Sequence, residues 1–307
     1  MPADAPPIII GSAEDEHALS VAAEVRSLSI EPIFVDAAVL ESIPYSLSRG
    51  ELTLRLPGGA VRARLDSSSR GWIRRLAPPH WRRAVVSGSR DAAIRGAWMS
   101  LVTAVAGADE VSWLTPLGRL FLCENKVRQN LAAERLGIAT PDSAVVSNRE
   151  YIPSRLGDML VVKPLGSAAF TDTAGVEQVV WTHEMTRESP LLERLGGAPF
   201  LVQKRLLATR HLRVVTVERR SWACALDATD LPLDWRPHDD AHMAFIATSE
   251  PSVEGEAVRL AEDLGLGYSS QDWIVSSSGA YFLDLNPAGQ WLFLPDAVAT
   301  EVTKAIA

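Results

Sequence analysis

The chain has 307 residues, 47% of them hydrophobic and 22% charged, enough for a substantial core in one compact unit of several subdomains or two to three small domains. Its net charge of −8 excludes a general nucleic-acid surface, which needs a basic field against phosphate, though not a local basic groove. No apolar run approaches the ~20 residues that cross a bilayer, and MPADAPPIII lacks the basic region and long apolar stretch of a secretory signal, so a cytoplasmic protein bound to neither membrane nor nucleic acid is expected.

In chain order, residues 7–11 form a short apolar strand and 12–28 a helix with Ala18, Val21, Ala22, Val25 and Leu28 on one stripe. Ser12 is the expected N-cap. Residues 31–36 (EPIFVD) make the next strand, and this β-α-β opening says little about function. Residues 50–66 alternate around Pro57-Gly58-Gly59 as a hairpin. GWIRR at 71–75 is a further candidate strand, 89–106 a helix, and 112–116 a strand ending at a proline. One long helix is expected over 117–136, closed by Gly137. MLVVKP at 159–164 is an apolar strand, GSAAF a small-residue loop, and 191–195 the end of a helix. From 199 the pattern is strand-rich: FLVQKRL, HLRVVTVE, SWACALDA. A polar loop (PLDWRPHDD), a helix over 253–264, the strands SSQDWIVS and AYFLDLN, and a short C-terminal helix follow. The class is α/β (α+β). Cys123 and Cys224 lack metal-ligand spacing and are expected as buried free thiols.

The runs at 268–276 and 280–286 flank Ser277-Ser278-Gly279, a three-residue hairpin loop with glycine last. Centred on Ser278, that loop sets Asp272 and Asp284 opposite one another, with Cβ atoms roughly 4.5–5.5 Å apart. Asn286 shares the face of Asp284. Opposed carboxylates repel unless a cation lies between them, and oxygen ligands without histidine suit Mg²⁺ with phosphates completing the shell. The plainer alternative is a solvated acidic face.

The chain holds only four lysines, Lys126, Lys163, Lys204 and Lys304, among many arginines. Lys163 ends an apolar strand, where an anionic ligand such as phosphate would offset its burial; snorkelling to solvent is the alternative. Gly166, Ser167 and Ala168 follow, small enough for backbone amides to approach phosphate, or simply for a tight loop. Lys126 lies in a helix and in isolation is an exposed lysine. Arg213 shares a strand face with His211 and is either a phosphate clamp or half of a structural ion pair. Arg236, in the polar loop, could serve similarly.

Taken in order, NKVRQNLAAERLGIATPDSAVVSN, VVKP, FLVQKRL, HLRV, QDWIV and LDLNPAGQW resemble the ATP-grasp ligases, and LNPAGQWLFL with GWIRR is similar to the microviridin-type (graspetide) peptide maturases. The resemblance implies an ATP-grasp fold with an N-terminal α/β pre-ATP-grasp domain over 1–115, a central subdomain over 116–197, and a C-terminal antiparallel-sheet subdomain over 198–307 carrying the metal site. It implies ATP and Mg²⁺ as cofactors, Lys126 and Lys163 on the nucleotide phosphates beside the Gly166–Ser167 loop, and Gln203, Lys204, Arg205 and Leu206 as the strand beside adenine. Arg213 falls on phosphate or acyl-phosphate, Arg236 on substrate or phosphate, and Asp272, Asp284 and Asn286 on the metal. The family usually has glutamate where this chain has Asp284, and Gln-Glu where it has Gln203-Lys204; no carboxylate for the ribose stands between Leu206 and His211. The implied activity is an ATP-dependent ligase, working through an acyl-phosphate, that cross-links side chains of a precursor peptide with a leader segment, as a homodimer. A ligase for free amino acids or small carboxylic acids has the same motifs apart from the tail, and a nucleotide- or peptide-binding protein without catalysis is the third reading.

Overall fold

The computed structural model describes residues 6–82, 85–166, 169–171, 176–195, 198–235 and 239–307. It begins with β1 (Ile8–Ile10), α1 (Glu16–Ser27), β2 (Ile33–Val35) and α2 (Ala37–Leu40), then the antiparallel strands β3 (Tyr45–Ser48), β4 (Glu51–Leu56) and β5 (Gly59–Arg64). Next come β6 (Arg70–Ile73), α3 (Arg90–Ala106) and β7 (Ser112–Trp113). A parallel sheet of order β2-β1-β6-β7 results. Three consecutive buried isoleucines make β1 a strand covered on both faces. Ile9 packs with the α1 stripe, whereas Ile8 and Ile10 pack with Val102 and Val105 of α3. Asp15, not Ser12, caps α1, accepting from the amides of His17 and Ala18; Ser12 Oγ instead accepts from Glu14 N at 3.2 Å one turn earlier.

The single helix expected over 117–136 is two, α4 (Leu117–Cys123) and α5 (Lys126–Arg135). Asn125 leaves helical geometry at ψ 112° and its side chain accepts from Arg128 N at 3.1 Å, restarting the chain as an N-cap. Then come β8 (Ser143–Val146), β9 (Met159–Pro164), the short strands β10 (Ala169–Thr171) and β11 (Glu177–Val179), β12 (His183–Thr186) and β13 (Phe200–Lys204). The segment over 190–195, expected as a helix end, is a 3-10 helix. An antiparallel sheet of order β12-β9-β13-β8 buries Leu160, Val162, Phe200 and Val202 on one face. Strand alternation sends Val161, Lys163 and Gln203 to the other.

The last sheet holds β14 (Arg210–Val217), β15 (Arg220–Asp227), β16 (Ile246–Thr248), β17 (Tyr268–Ser276) and β18 (Gly279–Asn286), in the order β16-β15-β14-β17-β18. Helix α6 (Asp239–Met243) precedes β16, α7 (Pro251–Leu264) follows it, and α8 (Asp296–Ile306) closes the chain. One sheet face presents Leu212, Val214, Trp273, Phe282 and Leu285 to Ala257, Leu260 and Ala261 of α7 and Ala132 and Ala133 of α5. The opposite face is divided. Val215, Val217 and Tyr268 are buried with Trp291, α8 and α1. Further along the same strands, the alternation places His211, Arg213, Asp272 and Ile274 beyond that cover. Cys123 and Cys224 are both buried and free, as expected. Among the described residues no helix is long and apolar enough to cross a membrane.

Candidate functional site

A cleft of about 340 Å³ opens between the uncovered face of β9 and β13 and the uncovered end of the β14–β17–β18 face. Of the residues proposed from sequence, Lys126, Lys163, Gly166, Gln203, Lys204, Arg205, Leu206, Asp272 and Asp284 all line it. Ser167 and Arg236 lie outside the described residues. Arg213 and Asn286 do not line the cleft; Arg213 stands opposite Asp272 on the neighbouring strand β14, and Asn286 lies two residues beyond Asp284 on β18.

The acidic hairpin has the expected pairing through a different backbone. Ser276 pairs with Gly279, so the loop is two residues, Ser277 and Ser278, with Gly279 at φ 130°. This register runs to Trp273↔Phe282 and then slips by one, so that Asp272 pairs with Asp284 and Ser270 with Asn286. Leu283 is the extra residue, a β-bulge. Without the slip Asp272 would face Leu283, and Asp284 would turn to the α7 side. The bulge therefore brings Asp284 onto the face of Asp272, and it leaves Leu283 lining the cleft as well.

Each carboxylate already has a cation. Lys126 Nζ contacts Asp284 Oδ2. Arg213 lies 3.2 Å from Asp272 and donates to Ser270 Oγ at 3.2 Å, with its guanidinium 5.4 Å from the Phe293 ring centroid. The buried Arg213 Nε has no hydrogen-bond partner. Asn286 is exposed, and its Oδ1 accepts from Ala288 N at 2.9 Å, fixing the amide's orientation. Among the described residues no three His, Cys, Asp or Glu side chains converge as metal ligands. The donor set is two carboxylates and one amide oxygen, hard ligands that leave most of an octahedral shell to phosphate and water, the manner in which Mg²⁺ is usually held.

The far end of the cleft suits a flat, mostly apolar ring. Val161 and Gln203 are paired neighbours, and with Leu206, Ile274 and Leu283 they line it. Gln203 is buried and its Nε2 has no partner. Two residues after Gln203, Arg205 Nε donates to Glu184 Oε2 at 2.6 Å.

Several contributors carried no sequence assignment. His211 lines the cleft; burial holds its pKa below the ordinary imidazole value, opposed by the Asp272 charge. Asp234, Trp235 and Thr182 also line it, with Thr182 N donating to Asp234 Oδ2 at 3.1 Å. Gln129 is the least visible in sequence. Buried in α5, it donates to Leu285 O at 2.7 Å and to Cys123 O at 2.7 Å, and accepts from Leu285 N at 3.0 Å. It thus pairs the outer edge of β18 between Asp284 and Asn286, as another strand would. Its position three residues after Lys126, on the same side of the helix, was the available signal.

No protein-family model matches the chain, and no curated protein does. Solved structures do, and they define its class: the chain has the ATP-grasp fold over nearly its whole length. The Chryseobacterium gregarium RiPP-associated ATP-grasp ligase, in complex with ADP and a leader and core peptide, is similar with a TM-score of 0.83 at 21% identity, over 98% of this chain and 95% of that one. The macrocyclase MdnC of Microcystis aeruginosa MRC, bound with precursor peptide MdnA, is similar with a TM-score of 0.77 at 21% identity, over 97% of both chains. The ATP-grasp ligase PsnB, complexed with a phosphomimetic variant of a minimal precursor, Mg and ADP, has a TM-score of 0.71 at 19% identity, over 99% of this chain and 98% of that one.

Proposed function

We propose that this protein is an ATP-dependent ligase that activates a carboxylate as an acyl-phosphate and joins it to an amine or hydroxyl, its substrate being side chains of a ribosomally made precursor peptide. The observation that carries the reading is the bulged hairpin, which sets Asp272 against Asp284 in the cleft, each with its own cation, Arg213 and Lys126. The structural similarity to ligases bound with ADP and with precursor peptides supports both the nucleotide and the peptide. A leader segment on that peptide, a homodimeric assembly, a cytoplasmic setting and subdomains divided near 115 and 197 belong to the same proposal.

Val161, Leu206 and Leu283 would hold the base of ATP, against Gln203–Leu206 as the hinge. Lys126 and Lys163 meet the phosphates with the Gly166–Ser167 loop. Asp272, Asp284 and Asn286 would hold Mg²⁺, which supplies charge neutralisation on the phosphates. A carboxylate oxygen of the substrate attacks the γ-phosphorus, the β–γ bridging P–O bond breaks, and ADP leaves. An amine or hydroxyl then attacks the acyl carbon, the C–O bond to phosphate breaks, and phosphate leaves as the nucleophile loses its proton. Arg213, paired with Asp272, would contact phosphate or the acyl-phosphate, and Arg236 would be a substrate or phosphate contact. No covalent enzyme nucleophile is required; positioning and electrostatics carry the rate.

The test is incubation with ATP, Mg²⁺ and the short peptide encoded beside the gene, read by mass spectrometry. Loss of one water per bond, with ADP formed in equal amount, is expected. ADP release driven by small carboxylic acids, with the peptide mass unchanged, would replace the peptide reading with the small-acid one.

A further inference from the structure

The GWIRR segment takes no part in the cleft, yet its Arg74 is among the most buried charged residues of the chain, with 5% of its surface exposed. Its Nε donates to Asp15 Oδ1 at 3.3 Å, and its Nη1 contacts the carbonyls of Ala288 and, at 3.5 Å, Gly289. Arg75 also pairs with Asp15. Burial alone would raise the Asp15 pKa; the hydrogen bond with His17 and the charges of Arg74 and Arg75 more than offset it and hold the carboxylate well below its ordinary range. A buried carboxylate so held keeps a charged partner for Arg74 near neutral pH.

The segment contacted in this way follows Asn286 directly, and nearly every backbone group in it is taken. Tyr268 Oη donates to Gly289 O at 2.9 Å, and Ser270 Oγ to Gln290 O at 3.4 Å. His17 Nε2 accepts from Trp291 N at 3.1 Å and from Leu292 N at 3.3 Å, so it is the unprotonated ring nitrogen, while Nδ1 lies 3.5 Å from Asp15. At Gly289 a Cβ would meet Ser270 Cβ at 2.4 Å and Asn286 Cβ at 3.3 Å, so the turn packs directly against the metal-side residues. Asn286 is tied to that turn through Ala288 N at 2.9 Å and Gly289 N at 3.3 Å.

We infer that Arg74, with Asp15 as its counterion, is a positioning residue for the metal site, acting across the molecule by fixing the turn that orients Asn286. The inference rests on the reading of Asp272, Asp284 and Asn286 as metal ligands. Groups bonded directly to a metal ligand typically change metal affinity about 10–100-fold when lost; Arg74 reaches Asn286 one step further out, through Ala288 and Gly289, so the lower end of that range is expected. Lysine at this position keeps the charge but not the fork that spans a carboxylate and two carbonyls.

Calorimetry of ADP binding, with saturating Mg²⁺ and again with EDTA, gives the factor by which Mg²⁺ tightens ADP. In Arg74→Lys that factor falls at least about 10-fold, while the affinity in EDTA stays near the wild-type value. An unchanged factor overturns the inference, and so does an equal loss with and without Mg²⁺, which is the mark of a merely structural role. A wild-type protein whose ADP affinity ignores Mg²⁺ overturns the metal-site reading itself, an outcome distinct from the other two. Should Arg74→Lys fold poorly, Asp15→Asn combined with Arg74→Gln removes both charges together, keeps an amide cap on α1, and is read by the same ratio.

Discussion

Replacing Gln129 by methionine tests how far the site depends on its buried scaffold. The substitution keeps chain length and burial but deletes three hydrogen bonds, two to the backbone of Leu285 and one to Cys123 O. Leaving a buried polar group unsatisfied costs about 1–3 kcal/mol; Leu285 N keeps Asp284 Oδ1 as an acceptor at 3.0 Å, so the two carbonyls of Leu285 and Cys123 set an upper range of about 2–6 kcal/mol, and relaxation of an edge strand toward water brings the expected loss to about 3 kcal/mol. Because Leu285 stands between Asp284 and Asn286, the same change loosens both side chains. Urea denaturation should therefore show the stability loss, and the gain in ADP affinity on adding Mg²⁺ should shrink about 10-fold, or about 1.4 kcal/mol. A destabilisation below about 1 kcal/mol, or a folded variant with an intact Mg²⁺ effect, would refute the view that Gln129 holds this strand in place.

Asp284→Asn removes one of the two opposed carboxylates and the partner of Lys126; it should cut the Mg²⁺ effect on ADP affinity by at least about 10-fold with little change in thermal stability, checked by calorimetry and a melting curve. For Asp15 the folded pKa is depressed, so its contribution to stability is complete above the unfolded value of about 3.9 and is lost as pH falls from there toward the folded value. Asp15→Asn should cost about 3 kcal/mol at pH 7, where it strands the buried Arg74, and the gap to wild type should narrow in urea titrations at about pH 3. Burial pushes the Cys224 thiol up to about 11 and raises Cys123 in the same direction, so neither should react with a disulfide reagent at pH 8 until the protein is unfolded.

Most of the longer strands and helices were legible because apolar periodicity is strong along the chain, whereas the short strands β3, β10, β11, β12 and β16 were not, and Lys126 and the Gln203–Leu206 stretch were picked out by the family resemblance rather than by pattern. Val161, Lys163 and Gln203 alternate with residues of a sealed core, which is enough to send them to one face. The opposition of Asp272 and Asp284 was legible too, but through compensation. A three-residue loop and a two-residue loop followed by a bulge each add one residue to the β18 side, and they give the same pairing at the carboxylates. Nothing in YFLDL marks the bulge, since it falls on leucine rather than glycine. The helix break at Asn125 was open to reading, because asparagine caps well, yet the apolar stripe ran through it. What local pattern does not encode is contact at long range. Arg74 reaches Ala288 across 214 positions and Gln129 reaches Leu285 across 156, and neither distance leaves a periodic trace.

The single inserted residue in β18 also links two features of the cleft, its wall and its charge. Leu283 lines the cleft, while the slip it causes decides which way the adjoining acid points. Shortening this strand by one position therefore takes Leu283 out of the cleft wall and turns Asp284 away from Asp272 at one stroke. Exchange of the Leu283 side chain for another keeps the slip, and a change of length at the outer tip, Ser277 and Ser278, leaves it untouched.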